Sequence, residues 1–243
     1  MKNILLNMQF VGTGYAGWQR QKNAVSIQQL IEDALMQVIG TPHVITGCSR
    51  TDAGVHAEEF IANFLTDSTI PAVRFAPALQ SKLPPDVLVT GSREVDLDFN
   101  ARRNSYEKTY RYQVVLGRSP FCNDRWWQLG EDPDLDILRR CAAMIAGTHD
   151  FSGFCVLRSR KSDNRCSIKQ ATWRRSGRRL YFKVTGDRFL HHMVRFLVGA
   201  QIEVALGKLT PEQFRQIIEH PDRRRAKFPA PPDGLYLEKV KYR

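Results

Sequence analysis

Residues 2–10 alternate in character: Ile4, Leu6, Met8 and Phe10 share one face, and Asn3, Asn7 and Gln9 take the other. A period of two predicts a strand. After Ser26 the period becomes helical, with Ile27, Leu30, Ile31, Ala34, Leu35, Val38 and Ile39 on one stripe. Ser26 and Gln29 have the spacing of a capping box, and Gly40 can close the helix in the left-handed conformation. Between strand and helix runs Gly12-Thr13-Gly14-Tyr15-Ala16-Gly17-Trp18-Gln19-Arg20, a glycine-rich loop with aromatic and polar side chains. It lacks the G-x-G-x-x-G spacing and no helix follows it directly, so it is not a dinucleotide fingerprint.

Pro84-Pro85 and the mixed stretch to residue 99 predict a crossover toward a second unit. Residues 106–116 predict a strong strand with Tyr106, Tyr110, Tyr112, Val114 and Leu116 on one face. A helix from about Leu135 is expected to end at Gly147, with Leu135, Leu138, Ala142 and Ile145 inward. Residues 172–185 read as a hairpin turning at Ser176-Gly177. Residues 189–206 read as a buried helix, Thr210-Pro211-Glu212-Gln213 as the start of another, and residues 234–242 as a strand. The order predicts an α+β protein of two units, 1–102 and 103–243, each a mostly antiparallel sheet flanked by helices.

The chain has 243 residues, 42% apolar and 25% charged, which supplies a packed core and excludes a mainly disordered chain. No run approaches the roughly 18 apolar residues of a spanning helix, and the N-terminus lacks the apolar core of a signal peptide. Cys48, Cys122, Cys141, Cys155 and Cys166 are odd in number and contain no C-x-x-C pair. They are therefore expected to be reduced thiols of a cytoplasmic protein rather than a disulfide framework or structural zinc site.

The net charge is +11, but it is unevenly placed: residues 1–100 sum to −3 and residues 101–243 to +14. Residues 158–179 hold nine basic side chains, among them Arg174, Arg175, Arg178 and Arg179, and one acid, Asp163. Such a density could neutralise several phosphates, which points to a polyanionic partner held by the second unit.

The richest chemistry lies in Cys48-Ser49-Arg50-Thr51-Asp52-Ala53-Gly54-Val55-His56-Ala57. Ala53 and Gly54 allow close approach to the backbone. An arginine two residues from an aspartate could hold that carboxylate ionised and oriented, as a nucleophile or cation stabiliser requires. The same residues could equally be a structural Asp turn with an Arg partner. His56 is read as structural rather than as a general base. His191 and His192 have no evident third ligand, so they are read as helix-packing or RNA-rim residues.

Residues 49–57 closely resemble the G-R-T-D-A-G-V-H-A signature of the TruA-type tRNA pseudouridine synthases. Further matches follow in the family's order. They are Gly14-Tyr15-Ala16-Gly17-Trp18-Gln19-Arg20-Gln21, Lys108-Thr109-Tyr110-Arg111-Tyr112, Gly147-Thr148-His149-Asp150-Phe151, Phe189-Leu190-His191-His192-Met193-Val194-Arg195, and Pro231-Pro232-Asp233-Gly234-Leu235-Tyr236-Leu237. Val11 stands where the family usually has an acid, and Ser49 where its signature opens with Gly.

The resemblance implies the pseudouridine synthase fold with an active-site cleft between the units. It also implies cofactor-free isomerisation of uridines 38–40 in the tRNA anticodon arm. The C1′–N1 bond breaks, the uracil turns, and C1′ is rejoined through C5. Asp52 matches the essential aspartate, whether as nucleophile or along a glycal route. Arg50 matches the arginine that fills the space the flipped nucleotide leaves. Tyr110 matches the tyrosine that packs on the uracil, Leu235 a leucine lining its pocket, and Arg195 an arginine partnering the aspartate. The family is homodimeric, which implies a dimer here, with tRNA as substrate. On residues alone, Tyr110 and Leu235 would be core side chains, whereas an arginine in an apolar helix needs an anionic partner.

Two other classes compete. A non-catalytic RNA-binding module or chaperone would use the same basic surface, but binding alone has no need of a carboxylate facing phosphates. A phosphoryl-transfer enzyme would need a P-loop and clustered carboxylates for magnesium, which the chain lacks.

Overall fold

The computed structural model describes residues 1–221 and 226–243. They divide into two compact units, Met1–Tyr106 with Tyr236–Arg243, and Glu107–Leu235.

The first unit begins with β1 (Lys2–Phe10), α1 (Ile27–Ile39), β2 (Thr46–Gly47), β3 (His56–Thr66), α2 (Phe75–Gln80) and β4 (Val87–Val95). β1 is central, antiparallel to β3 and β4. Its apolar face is core, as the alternation predicts, with Ile4, Leu6 and Met8 no more than 1% exposed. The opposite face is covered at Asn3 and Leu5, whereas Gln9 is exposed. Asn3 is fully buried, accepts from Asn63 Nδ2 at 2.9 Å and donates to the carbonyls of Asp96 and Phe99. A buried amide is tolerated there because its hydrogen bonds are made.

In α1 the Ser26 hydroxyl accepts from the Gln29 N–H, and Gly40 closes the helix at φ 86°. Ile27, Ile31, Ala34 and Leu35 of the apolar stripe are buried, as are Gln28 and Glu32, while Leu30, Val38 and Ile39 are half-buried. Gln28 donates to Glu32, and Arg20 reaches Glu32 at 2.9 Å, so the helix holds the preceding loop. The stretch after Pro84-Pro85 is not a crossover. It forms β4, paired along β1 as an edge of this unit's sheet. Only Val87 and Val89 of β4 are buried, and an edge strand with one partly covered face carries little alternation.

The second unit contains β5 (Ser105–Leu116), β6 (Trp127–Leu129), α3 (Leu135–Met144), β7 (Gly147–Asp150), β8 (Arg165–Ser176), β9 (Arg179–Gly186), α4 (Met193–Ala205) and α5 (Pro211–Glu219). Its sheet runs β5-β9-β8-β7, all antiparallel, with β6 parallel on β5. Tyr110, Tyr112 and Val114 of β5 join Leu180, Phe182 and Val184 of β9 in the core. Trp173 donates from its ring N–H to Gln201 of α4 at 2.9 Å.

Three boundaries differ from the periodic reading. The hairpin turns at Gly177-Arg178, one residue late, because Ser176 pairs with Arg179 and the left-handed Gly177 (φ 56°) takes the first loop position. α3 ends at Met144, and Gly147 (φ 98°) opens β7 instead of closing the helix. α4 starts only at Met193, because His192 adopts φ 63° and breaks the helical run. His191 and His192 therefore precede the helix rather than pack within it. α5 has the complete capping box between Thr210 and Gln213.

The final strand, β10 (Leu235–Tyr242), corrects the expected division at residue 102. Tyr236 and Leu237 pair in parallel with His56 and Ala57, so the last eight residues belong to the first unit. The pairing joins positions 180 residues apart, a separation no local pattern reports. Among the described residues, no helix is long and apolar enough to cross a membrane.

Candidate active site

Asp52 lies on the connection between β2 and β3, half-buried, with Thr51 and Val55 buried on either side. Its own carbonyl accepts from the Val55 N–H at 3.2 Å, which turns the chain tightly. That turn rests on the glycine-rich loop. The Trp18 N–H donates to the Thr51 carbonyl at 3.1 Å, and the Gly54 N–H donates to the Tyr15 carbonyl at 3.2 Å. A third bond runs from the Gly12 N–H to Nδ1 of His56 at 3.1 Å. Two backbone bonds therefore flank Asp52, one on each side, and the His56 side chain adds a third link between the loops.

Glycine is required for this approach. A Cβ at Gly12 would lie 2.0 Å from the Val55 carbonyl oxygen, and Gly17 (φ 81°) faces the Thr51 carbonyl. The loop is anchored at its far side. Tyr15 donates its hydroxyl to the Asp86 carboxylate at 2.7 Å, and burial together with that carboxylate raises its pKa well above the usual tyrosine range. Trp18 is buried and stacks on Phe60 with ring centroids 4.3 Å apart. The composition of residues 12–20 distinguishes this loop in the sequence, but its partner loop lies some forty residues away and no local pattern pairs the two.

Arg50 is exposed and has no ion-pair partner among the described residues. The expected Arg50–Asp52 pair is not formed: the chain sends Arg50 into solvent while Thr51 turns into the protein. His56 is structural, as expected: it is 1% exposed and its ring stacks on Tyr236 at 4.5 Å.

In the second unit, Tyr110 is 6% exposed and meets Phe189 edge to face at 5.0 Å. Tyr112, on the same face of β5, is fully buried and donates its hydroxyl to the Pro231 carbonyl at 2.6 Å. Gly234 presses on that ring so closely that a Cβ would lie 2.8 Å from it. Burial raises the Tyr112 pKa strongly, against the opposing pull of Arg195. Tyr112 therefore anchors the segment leading to Leu235. Leu235 is buried at the start of β10. Arg195, in the first turn of α4, donates from Nε to the Ala230 carbonyl at 2.7 Å, while the Ala230 N–H donates to the Arg195 carbonyl at 2.9 Å.

The four arginines of the hairpin separate into two kinds. Arg175 makes a bidentate pair with Asp132, both contacts at 2.9 Å, and Arg178 donates from Nε to the Leu116 carbonyl at 2.8 Å. Arg174 stands exposed on β8 across from Tyr181, and Arg179 lies 5.2 Å over the Trp126 ring. Density along the sequence marks all four alike, because it is blind to which guanidinium the fold already uses.

Two mostly antiparallel α+β units, one of them presenting an aspartate loop fixed by backbone to a glycine-rich loop, define the class to which comparison with known proteins assigns the chain. Residues 141–243 match the family model described as tRNA pseudouridine synthase. The chain is 39% identical over 244 residues to a tRNA pseudouridine synthase A of Clostridium acetobutylicum. It is 40% identical over 247 residues to one of Acetivibrio thermocellus and 39% identical over 244 residues to one of Clostridium kluyveri. In each case the whole of both chains is covered. The chain belongs to the tRNA pseudouridine synthase family.

Proposed function

We propose that this enzyme isomerises uridine to pseudouridine at positions 38–40 of the tRNA anticodon stem-loop, with Asp52 as its catalytic nucleophile. The reaction breaks the C1′–N1 bond and forms a C1′–C5 bond. The C5 hydrogen is lost and N1 gains a proton, so substrate and product are isomers and no cofactor is consumed. The observation that carries the reading is the fixation of the Asp52 loop from both sides by backbone bonds to the glycine-rich loop. A positioned group is worth far more to a bond-breaking step than to binding alone.

Arg195 is proposed as the ionic partner of Asp52, Tyr110 as the ring against the flipped uracil, and Leu235 as part of its pocket. The exposed Arg50 is proposed to enter the space the nucleotide leaves, offsetting an unstacking cost of a few kcal/mol. Arg174 and Arg179, with the rest of the basic second unit, would take tRNA phosphates. The first unit would deliver the carboxylate, in a homodimeric cytoplasmic enzyme.

The test is carbodiimide labelling and primer extension on an unmodified tRNA, because the reaction changes no mass. Wild-type protein is expected to create a stop in the anticodon arm. Asp52→Asn is expected to bind the tRNA equally well and to create none. Wild-type protein yielding no stop would overturn the reading in favour of a non-catalytic RNA-binding role.

A further inference from the structure

Three segments meet at the imidazole of His56. Its backbone begins β3, four residues after Asp52. Its Nδ1 accepts from the Gly12 N–H at 3.1 Å, at the start of the glycine-rich loop. Its ring stacks on Tyr236 with centroids 4.5 Å apart and an interplanar angle of 26°, and His56 and Tyr236 are paired in register between β3 and β10. Tyr236 directly follows Leu235.

Chemistry restricts what could replace this side chain. The Gly12 N–H is buried, and the Val55 backbone lies so close that not even a methyl group fits at Gly12. A buried N–H there needs an acceptor, and His56 supplies it. A neutral imidazole does so with Nδ1 while Nε2 carries the proton. The flat ring also fills the space against Tyr236, which an aliphatic chain of equal volume would not do in the same plane.

We propose that His56 is a positioning residue for the isomerisation: it sets the height of the Asp52 loop above the glycine-rich loop by accepting the Gly12 N–H. It does not touch the reacting atoms, and it acts through Asp52. The proposal rests on the catalytic reading of Asp52 given above. It goes beyond that reading by assigning the hydrogen bond, and not the ring, as the feature on which turnover depends.

Asparagine and phenylalanine divide the two functions of the ring. Asn Oδ1 occupies nearly the place of Nδ1 and keeps the acceptor while losing the stack. Phe keeps a stacking ring and loses the acceptor. His56→Phe is expected to lower kcat about 10²-fold, the size of effect that a misplacement near 1 Å produces, with tRNA Kd within about threefold of wild type. His56→Asn is expected to recover kcat to within about fivefold of wild type. Single-turnover rates, tRNA binding and circular dichroism would be measured on both.

A folded His56→Phe protein with wild-type kcat would overturn the proposal, as would a loss confined to Kd. His56→Asn as slow as His56→Phe would also overturn it. If His56→Phe does not fold, His56→Asn decides alone, since a fall beyond about fivefold contradicts the acceptor role. Asp52→Asn, run alongside, separates the two readings. An active Asp52→Asn removes the basis in Asp52, whereas an inactive one beside an active His56→Phe removes only the role given to His56.

Discussion

A Cβ on Gly17 would lie 2.3 Å from the carbonyl oxygen of Thr51 and 2.9 Å from the carbonyl carbon of Asp52. The glycine-rich loop and the aspartate loop are thus in backbone contact, and the φ of Gly17 is positive at 81°. Gly17→Ala meets both a steric and a conformational penalty. It is expected to cost at least about 1–3 kcal/mol in chemical denaturation and to lower kcat disproportionately to tRNA affinity. Equal denaturation midpoints for variant and wild type would show that the two loops separate without consequence.

The division among the hairpin arginines gives a salt-dependence test. Replacing Arg174 and Arg179 by Ala should weaken tRNA binding and flatten the slope of log K against log salt by roughly 0.7–0.9 for each phosphate no longer neutralised. Arg178→Ala should leave the slope within error. Its main effect should be on stability, by about 1–2 kcal/mol, because its guanidinium is held by the Leu116 carbonyl. A slope that responds to Arg178 and ignores Arg174 and Arg179 would reverse this assignment.

At Val87 and Val89 the outer edge of β4 is capped by one side chain. Gln80 donates from Nε2 to the Val87 carbonyl at 3.2 Å and accepts from the Val89 N–H at 2.9 Å, the two bonds a neighbouring strand would otherwise make. Exposed strand edges invite pairing with other chains. Gln80→Ala is expected to cost about 1 kcal/mol and to raise concentration-dependent association, followed by light scattering during mild heating. Unchanged scattering would show the edge to be protected without Gln80.

Burial pushes the Cys141 and Cys166 thiols up to about 11 from 9.0. A raised folded pKa means that the unfolded state gives up its protons first. The stability these groups contribute is therefore complete below pH 9 and is lost as pH rises from 9 through 11. All five cysteines are buried. At pH near 8 a disulfide reagent is expected to titrate them at the rate of unfolding and not faster. Rapid labelling of Cys141 or Cys166 in folded protein would contradict this.

Much of the architecture is legible in the sequence because it is local. β1, α1, β5 and the cap of α5 follow from periods of two and 3.6 and from Ser26 and Thr210, each a property of about ten neighbouring residues. The differences lie where long-range pairing overrides local pattern. β4 leaves little trace in the sequence because an edge strand buries little, and β10 falls in the first unit, against its place in the chain, because its partner is His56. Periodicity predicts too long a helix over 189–206, since it does not register a single left-handed residue such as His192.

The site divides along the same line. The residue types around Asp52, and the resemblance they carry, are set by composition and order along the chain, as is the surplus of charge in its second part. Only the folded structure decided that Gly12, Tyr15 and Trp18 hold that loop, that His56 faces Gly12, that Arg50 stands apart from Asp52, and that Arg175 and Arg178 are already engaged. Chain order specifies which groups are available. Hydrogen bonds between residues 33 to 180 positions apart depend on the position of every intervening element, so the placing of those groups belongs to the tertiary structure.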